Sequence, residues 1–353
     1  MKIYIQAAAA ISPQQSFGQE AFLEEPVTYS GNRLQTVDPD YTKLIDPKSL
    51  RRMSRVIKMG VATALACLQD AGETNPGAIV TGTAFGCMED SDFFLKQIIE
   101  RKEDAPPPTP FIQSTHNTVG AQIALILKCH HYNNTFAHGG TAFENALLDA
   151  MLLLKDGEAK NVLVGGIDEI TESSYAIMSR FDFYKNEIAS NLDLYKNNSK
   201  GTIAGEGAAF FLLSASKENA IAELEGISSF YRPKDTKEIE QQISSFLTAN
   251  AITTADIDLV ISGKNGDNRE DGIYEQLQQS VFVNKPLLHY KNLCGEYPTA
   301  TSFALWMAVN ILKTGIVPQA MGHEGSNESK PKRILIYNQY RQTHHSLMLI
   351  SAC

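Results

Sequence analysis

Short apolar runs alternate with longer stretches of helical periodicity, and they do so twice in the same order. Residues 2–8 read as a strand entering a small-residue turn. Residues 54–70 then place Val56, Met59, Ala62, Leu65 and Ala66 on one face of an amphipathic helix. A strand over 78–83 ends at Gly82, a helix over 117–127 follows, and 134–137 is extended. His138-Gly139-Gly140-Thr141 makes a tight turn into a helix over 142–155, whose buried face carries Phe143, Ala146, Leu147, Ala150, Met151 and Leu154. A buried-type strand over 161–164 is expected to close at Gly165-Gly166, and the Asn-rich stretch 184–199 to form a surface loop. Strand 208–213 ends this half. The rhythm restarts near residue 220 with a strand and a helix over 237–249. Strand 257–262 then runs into the polar turn 263–267. A helix over 272–280, a strand over 286–290, a helix over 299–312 and closing strands at 333–337 and 346–351 complete it. Such alternation predicts a layered α/β body, divided into two similar halves, 1–217 and 218–353.

At 353 residues and 43% hydrophobic, the chain has enough apolar surface for a sizeable core. Its 31 basic and 40 acidic residues leave a net charge of −9, which repels phosphate backbones and argues against nucleic acid as a partner. The five cysteines are scattered with no CxxC pair, so neither a zinc site nor a disulfide framework is expected. The pairs His130-His131 and His344-His345 diverge on extended backbone and do not suggest chelation. No metal or cofactor is expected. No run approaches about 18 uninterrupted apolar residues, so no membrane span is expected and the cytoplasm is the expected compartment.

Several blocks in order resemble the β-ketoacyl-acyl carrier protein synthases, condensing enzymes of the thiolase fold. The most specific is Gly201-Thr202-Ile203-Ala204-Gly205-Glu206-Gly207-Ala208-Ala209, similar to the family's G-x-x-x-GEGA segment. Asn117-Thr118-Val119, the run from Gly157 to Glu169, and Ser179-Arg180-Phe181-Asp182 are similar too. Asp256-Ile257-Asp258, Asp271 with Glu275, Lys291, Gly295 and Gly315-Ile316-Val317-Pro318 follow in family order. The resemblance implies a five-layer αβαβα body from two fused halves. It also implies dimers paired through strands beside the nucleophile, and acyl carrier protein or coenzyme A thioesters as ligands. Within it, Glu206 is structural, and Met178 and residues 181–184 pack beside the old site.

The same alignment strips the site of its chemistry. Thr141 stands at the position of the nucleophilic cysteine. The two histidines become Gly263 and Glu296, while Lys291 is retained and a glutamate of the following helix is Leu305. The glycine-rich turn near the C-terminus becomes Asn338-Gln339-Tyr340-Arg341-Gln342-Thr343-His344. An anionic Glu296 repels a malonyl carboxylate, and the lost glycines no longer let the backbone approach a thioester.

A synthase-shaped chain without this machinery is similar to the chain length factors of type II polyketide and aryl polyene systems. That likeness implies a non-catalytic subunit in a heterodimer with an active ketosynthase, shaping its acyl tunnel in polyketide, aryl polyene or fatty acid-like synthesis. Phe111, Ile112, His116 and His138 are the candidate tunnel and interface residues, and Arg51, Arg52, Arg55 and Lys58 the candidate carrier-protein patch. Two alternatives stand beside this reading. Thr141 with His138 as base makes an acyl-thioester transferase or hydrolase of another class; a chain with neither activity nor synthase partner makes an acyl-binding scaffold. Lys291 with Glu296 is expected as a salt bridge filling the old cavity, Glu144 with Glu296 is a conceivable carboxylate pair, and Cys87 reads as a small apolar filler.

Overall fold

A computed structural model describes residues 1–18, 22–322 and 330–353. The first half runs β1 (Tyr4–Ile11), α1 (Pro47–Leu50), α2 (Arg55–Ala71), β2 (Ala78–Gly82), α3 (Met88–Glu100), α4 (Pro108–Gln113) and α5 (Thr118–Leu127). It continues through β3 (Tyr132–Phe136), α6 (Ala142–Lys155), β4 (Asn161–Asp168), α7 (Glu172–Ser179) and β5 (Gly207–Ser214). The second half comprises β6 (Ala222–Tyr231), α8 (Thr236–Ala249), β7 (Leu259–Ser262), α9 (Gly272–Ser280) and β8 (Leu287–His289). It ends with α10 (Lys291–Cys294), α11 (Thr301–Thr314), β9 (Arg333–Tyr340) and β10 (His344–Ala352).

The strands line up as β3-β2-β4-β5-β1-β6-β10-β9-β7-β8. β1 and β6 are joined by two residue pairs alone, Tyr4 with Glu223 and Ile5 with Ala222, so the array divides into two five-stranded sets. In the first set β2 is parallel to β3 and β4, and β5 is antiparallel to β4 and β1. In the second β7 is parallel to β8 and β9, and β10 is antiparallel to β9 and β6. Strand for strand, the second set repeats the first. The boundary expected at 217/218 lies in the connection between β5 and β6.

Alternating side chains explain the layers. Val162 and Val164 of β4 face a central core with α6 and α11, while Leu163 faces α2 and α5 on the outer side. In the second half Ile334 and Ile336 of β9 face the same central core, and Leu335 faces α8 and α9. The order is therefore helix, sheet, helix, sheet, helix. α11 lies between the sheets, with eleven of its fourteen residues buried. That explains its apolar character almost all round, each large buried side chain contributing about 1.5–3 kcal/mol.

Two local expectations are corrected. β4 does not close at Gly165-Gly166 but runs through both to Asp168. Phe210 of β5 lies directly over Gly165, and a Cβ on Gly166 would come within 2.9 Å of Ser302 of α11, so these glycines permit close approach rather than a turn. The 184–199 stretch is not a wholly solvated loop either. Lys185, Asn191 and Leu194 are buried, and the Lys185 amino group donates to the carbonyls of Asn197, Ser199 and Gly266. Lys185 and Asn191 bond inward while Asn186, Glu187 and Lys196 to Asn198 face solvent, a division that composition alone does not reveal.

Candidate functional site

The central helices and the ends of β7 and β9 bring the altered positions together. Gly139–Thr141 forms a single 3-10 turn ahead of α6. The Thr141 hydroxyl approaches the His138 carbonyl at 3.4 Å and the Asn145 amide at 3.5 Å. The His138 imidazole instead packs against Phe136, ring centres 6.1 Å apart, and among the described residues makes no hydrogen bond to Thr141. Tyr340 covers Gly140, where a Cβ would lie 2.7 Å from its ring.

Opposite, Lys291 is wholly buried at the start of α10, and its amino group meets Glu296 Oε2 at 2.5 Å. The Asn265 amide donates to the same oxygen at 3.1 Å. Burial pushes the Glu296 carboxyl up, and Lys291 and Asn265 pull it back. The ion pair expected from the sequence is therefore present. Glu296 is positioned by backbone, its N–H donating to Ile203 O at 2.7 Å and its carbonyl accepting from Gly205 N at 3.1 Å. The glycine segment Gly201–Ala209 thus packs directly against Gly295-Glu296.

Gly263 admits no side chain. A Cβ there would run into Asn338 Oδ1 and come within 2.8 Å of the Tyr274 hydroxyl. The turn after it is held by Asp271, which accepts from Asn265 N at 2.9 Å and Gly266 N at 2.7 Å. The stretch Asn338–His344 is strand through Tyr340 and a tight hairpin at Arg341 and Gln342.

Glu144, in the first turn of α6, is 1% exposed, and neither carboxylate oxygen makes a hydrogen bond among the described residues. Burial pushes its carboxyl up to about 7; nearby Thr301 and Ser346 hydroxyls and the Lys291 charge offset this only in part. No hydrogen bond joins Glu144 to Glu296 among the described residues. Leu305 is fully buried in the central layer, so the carboxylates facing Lys291 come from other elements.

A narrow cavity of about 40 Å³ remains here, walled by Phe85, Phe183, Tyr184, Tyr297 and Tyr340. Met178 also lines it, whereas Phe181 is 65% exposed and stands away from the packing expected of it. Glu169, Asp267, Glu270 and Glu296 line the cavity together with Arg341. Burial pushes the Glu169 carboxyl up to about 8, although Glu89 N donates to it at 3.1 Å. Sequence reasoning missed Glu169 and Arg341 as cavity residues; for Arg341 a signal was available, a long cationic side chain in the stretch that the resemblance matches to a glycine-rich turn. Cys87 is fully buried, and burial pushes its thiol up, so it stays an unreactive thiol.

The remaining candidates lie on the surface. Phe111 is 57% exposed and packs on Phe94 at 5.1 Å, and Ile112 and His116 are exposed beside it. Of the basic patch, Arg51 and Arg52 are exposed and Lys58 is partly buried. Arg55 is withdrawn from it, bound to Glu206 at 2.7 Å and Asp38 at 3.2 Å. The reason is Glu206, a wholly buried carboxylate that also accepts from Thr36 N and Ile170 N at 3.0 Å and needs a counter-charge. No cluster of three metal-ligating side chains occurs among the described residues, and none of their helices is long and apolar enough to cross a membrane.

The family model for the β-ketoacyl synthase N-terminal domain matches residues 29–219. No curated protein matches the chain by sequence. Among solved structures, the ishigamide ketosynthase/chain length factor superposes with a TM-score of 0.82 at 16% identity, covering 100% of this chain and 99% of that one. A β-ketoacyl synthase from Burkholderia phymatum STM815 gives 0.80 at 13% identity, with the same coverage of both chains. A type II polyketide acyl-carrier protein in complex with its ketosynthase bound to the hexaketide gives 0.74 at 14% identity, again covering 100% and 99%. At such identities these likenesses establish the fold, and the family match spans more than half of the sequence: the chain belongs to the β-ketoacyl synthase family.

Proposed function

We propose that this chain is a non-condensing ketosynthase-like subunit, a chain length factor that pairs with an active ketosynthase and shapes its acyl tunnel. The reading places it in the cytoplasm, in polyketide, aryl polyene or fatty acid-like synthesis. The observation that carries it is the Lys291–Glu296 ion pair. Glu296 stands where a histidine would hold a thioester, and its charge is committed to Lys291. Gly263 has no room for the other histidine without moving Asn338, and Thr141 has no base bonded to its hydroxyl. One substitution does not restore such a site.

The first half supports the pairing. β3 is an open sheet edge, and Leu125, Leu148 and Leu152 on the flanking helices are 69%, 43% and 47% exposed. An unpaired edge with apolar flanks is a template for a partner strand. Phe111, Ile112 and His116 are proposed to project into the partner's tunnel, with His138 at the seam. Arg51, Arg52 and Lys58, without Arg55, are proposed to receive an acidic carrier protein. Two of the similar solved structures are described as a ketosynthase/chain length factor and a ketosynthase with its carrier protein, the assembly this reading assigns here.

Co-expression with a catalytic ketosynthase and its carrier protein tests the proposal. The expected outcome is a stable 1:1 complex that forms product only when the partner's nucleophile is intact. Acylation of Thr141 by an activated acyl thioester, seen by mass spectrometry, would sink it in favour of an enzyme using Thr141.

A further inference from the structure

The hairpin between β9 and β10 turns at Arg341 and Gln342, both at φ 54°. Two consecutive non-glycine residues in this left-handed region are disfavoured by crowding of Cβ against the carbonyl, and persist where their surroundings hold them. Both are held. Gln342 N–H donates to Gln339 Oε1 at 2.5 Å, and its side-chain amide donates to the Arg269 carbonyl at 2.6 Å. The Arg341 guanidinium lies 3.8 Å from the centre of the Phe183 ring and 5.1 Å from that of Tyr340. It also approaches Met178 Sδ at 3.4 Å.

Phe183, Tyr340 and Met178 all line the narrow cavity, and Arg341 is the single cation among its lining residues. Inside, Glu296 is nine-tenths buried; its Oε2 is bound to Lys291, and its Oε1 has no hydrogen-bond partner among the described residues. Aromatic faces set beside carboxyl groups make an environment suited to an organic cation. With the guanidinium in place, the open space of about 40 Å³ holds about three waters and no organic ligand.

We propose that this cavity is a cation-binding site occupied in cis by Arg341: it accepts a planar guanidinium, and the chain's own side chain fills it and closes it to outside ligands. The inference needs no partner subunit and stands or falls apart from the pairing reading. An incoming ligand has to lift Arg341 from Phe183 before it can enter.

Arg341→Gly empties the site, and glycine suits the left-handed backbone at that position. Thermal unfolding in low-millimolar ethylguanidinium chloride, well below denaturing concentrations, reads the result. The variant is expected to show a saturable rise in Tm of about 2–4 °C, and the wild type none. Adding Phe183→Leu to the variant is expected to weaken ethylguanidinium binding about tenfold through loss of the stacking face. A rise of the same size in the wild type overturns the proposal, because the cavity is then not filled; no saturable rise in the variant overturns it as well. Should Arg341→Gly fail to fold, Arg341→Asn serves the same purpose. Asparagine tolerates the left-handed backbone and carries no cation, so ethylguanidinium raises its Tm and not that of the wild type, and equal responses overturn the proposal.

Discussion

The two halves share one strand order yet end differently at equivalent edges. β3 offers five residues, Tyr132–Phe136, exposed to half-buried and flanked by exposed leucines. Its counterpart β8 has three, Leu287–His289, entered through Pro286. A short strand preceded by proline is a blunted edge, while a longer one with apolar neighbours invites pairing. The shared strand order therefore gives both halves one architecture, and the difference at one edge supplies the candidate interface. A similar asymmetry runs through the site. The first half contributes Thr141 and an unpartnered Glu144, and the second contributes Lys291 with a committed Glu296.

The largest effect is expected on the second-half side of that comparison. Lys291→Met leaves Glu296 buried without its cation and should destabilise the protein by about 3–5 kcal/mol in chemical denaturation. Lys291→Met with Glu296→Gln should recover most of the loss, and no recovery would mean that the pair is not the cause. Next comes Glu144. Its folded carboxyl titrates near 7 against an ordinary value of 4.5, so the folded state binds the proton more tightly. Its contribution is therefore most favourable below the unfolded value, and stability falls as pH rises from about 4.5 through 7, by up to about 3 kcal/mol. Glu144→Gln should flatten that decline in urea titrations across the window, leaving the parts due to Asp271 and Glu169, whose carboxyls burial raises to about 6 and about 8. An unchanged slope would show that Glu144 is already satisfied.

The edges give the third test. Leu125→Asp with Leu152→Asp should weaken ketosynthase pairing about 100-fold, near 2.7 kcal/mol, with the isolated chain's Tm little changed because both sites are exposed. Val283→Asp, at the connection leading to β8, should leave pairing intact, and equal loss from both would erase the distinction between the edges. The smallest effect on stability, within about 0.5 kcal/mol, is expected for Phe111→Ala. Product from the reconstituted pair should nevertheless lengthen, and unchanged length would remove Phe111 from the tunnel.

Much of the fold was legible because periodicity reports which faces are buried. The helix expected over 142–155 is α6 with its bounds unchanged, and that over 272–280 is α9. Helices α1, α3, α4, α7 and α10 were missed; α1 and α10 are single turns too short to show a period, and α3, α4 and α7 have no fully buried residue. Their apolar side chains form no inward-facing stripe to read. The end of β4 was misplaced because a glycine pair has two meanings, a turn or a close approach, and only Phe210 and Ser302 decide between them. Within the site, Thr141, Gly263 and Glu296 were visible in the sequence as the positions that the resemblance singles out. That Gly263 has no room, that Arg55 serves Glu206, and that Glu144 has no partner were not.

By itself the sequence determined the layered α/β class, the repeated rhythm of the two halves and the family likeness. Each of these depends on local residue type or on spacing along the chain. The tertiary structure alone decided which charges neutralise one another, which edge stays open and what fills the old cavity. Those outcomes depend on contacts between residues far apart in the chain, such as Arg341 with Phe183 or Arg55 with Glu206, and on burial, which turns an ordinary carboxyl into one that keeps its proton near neutral pH.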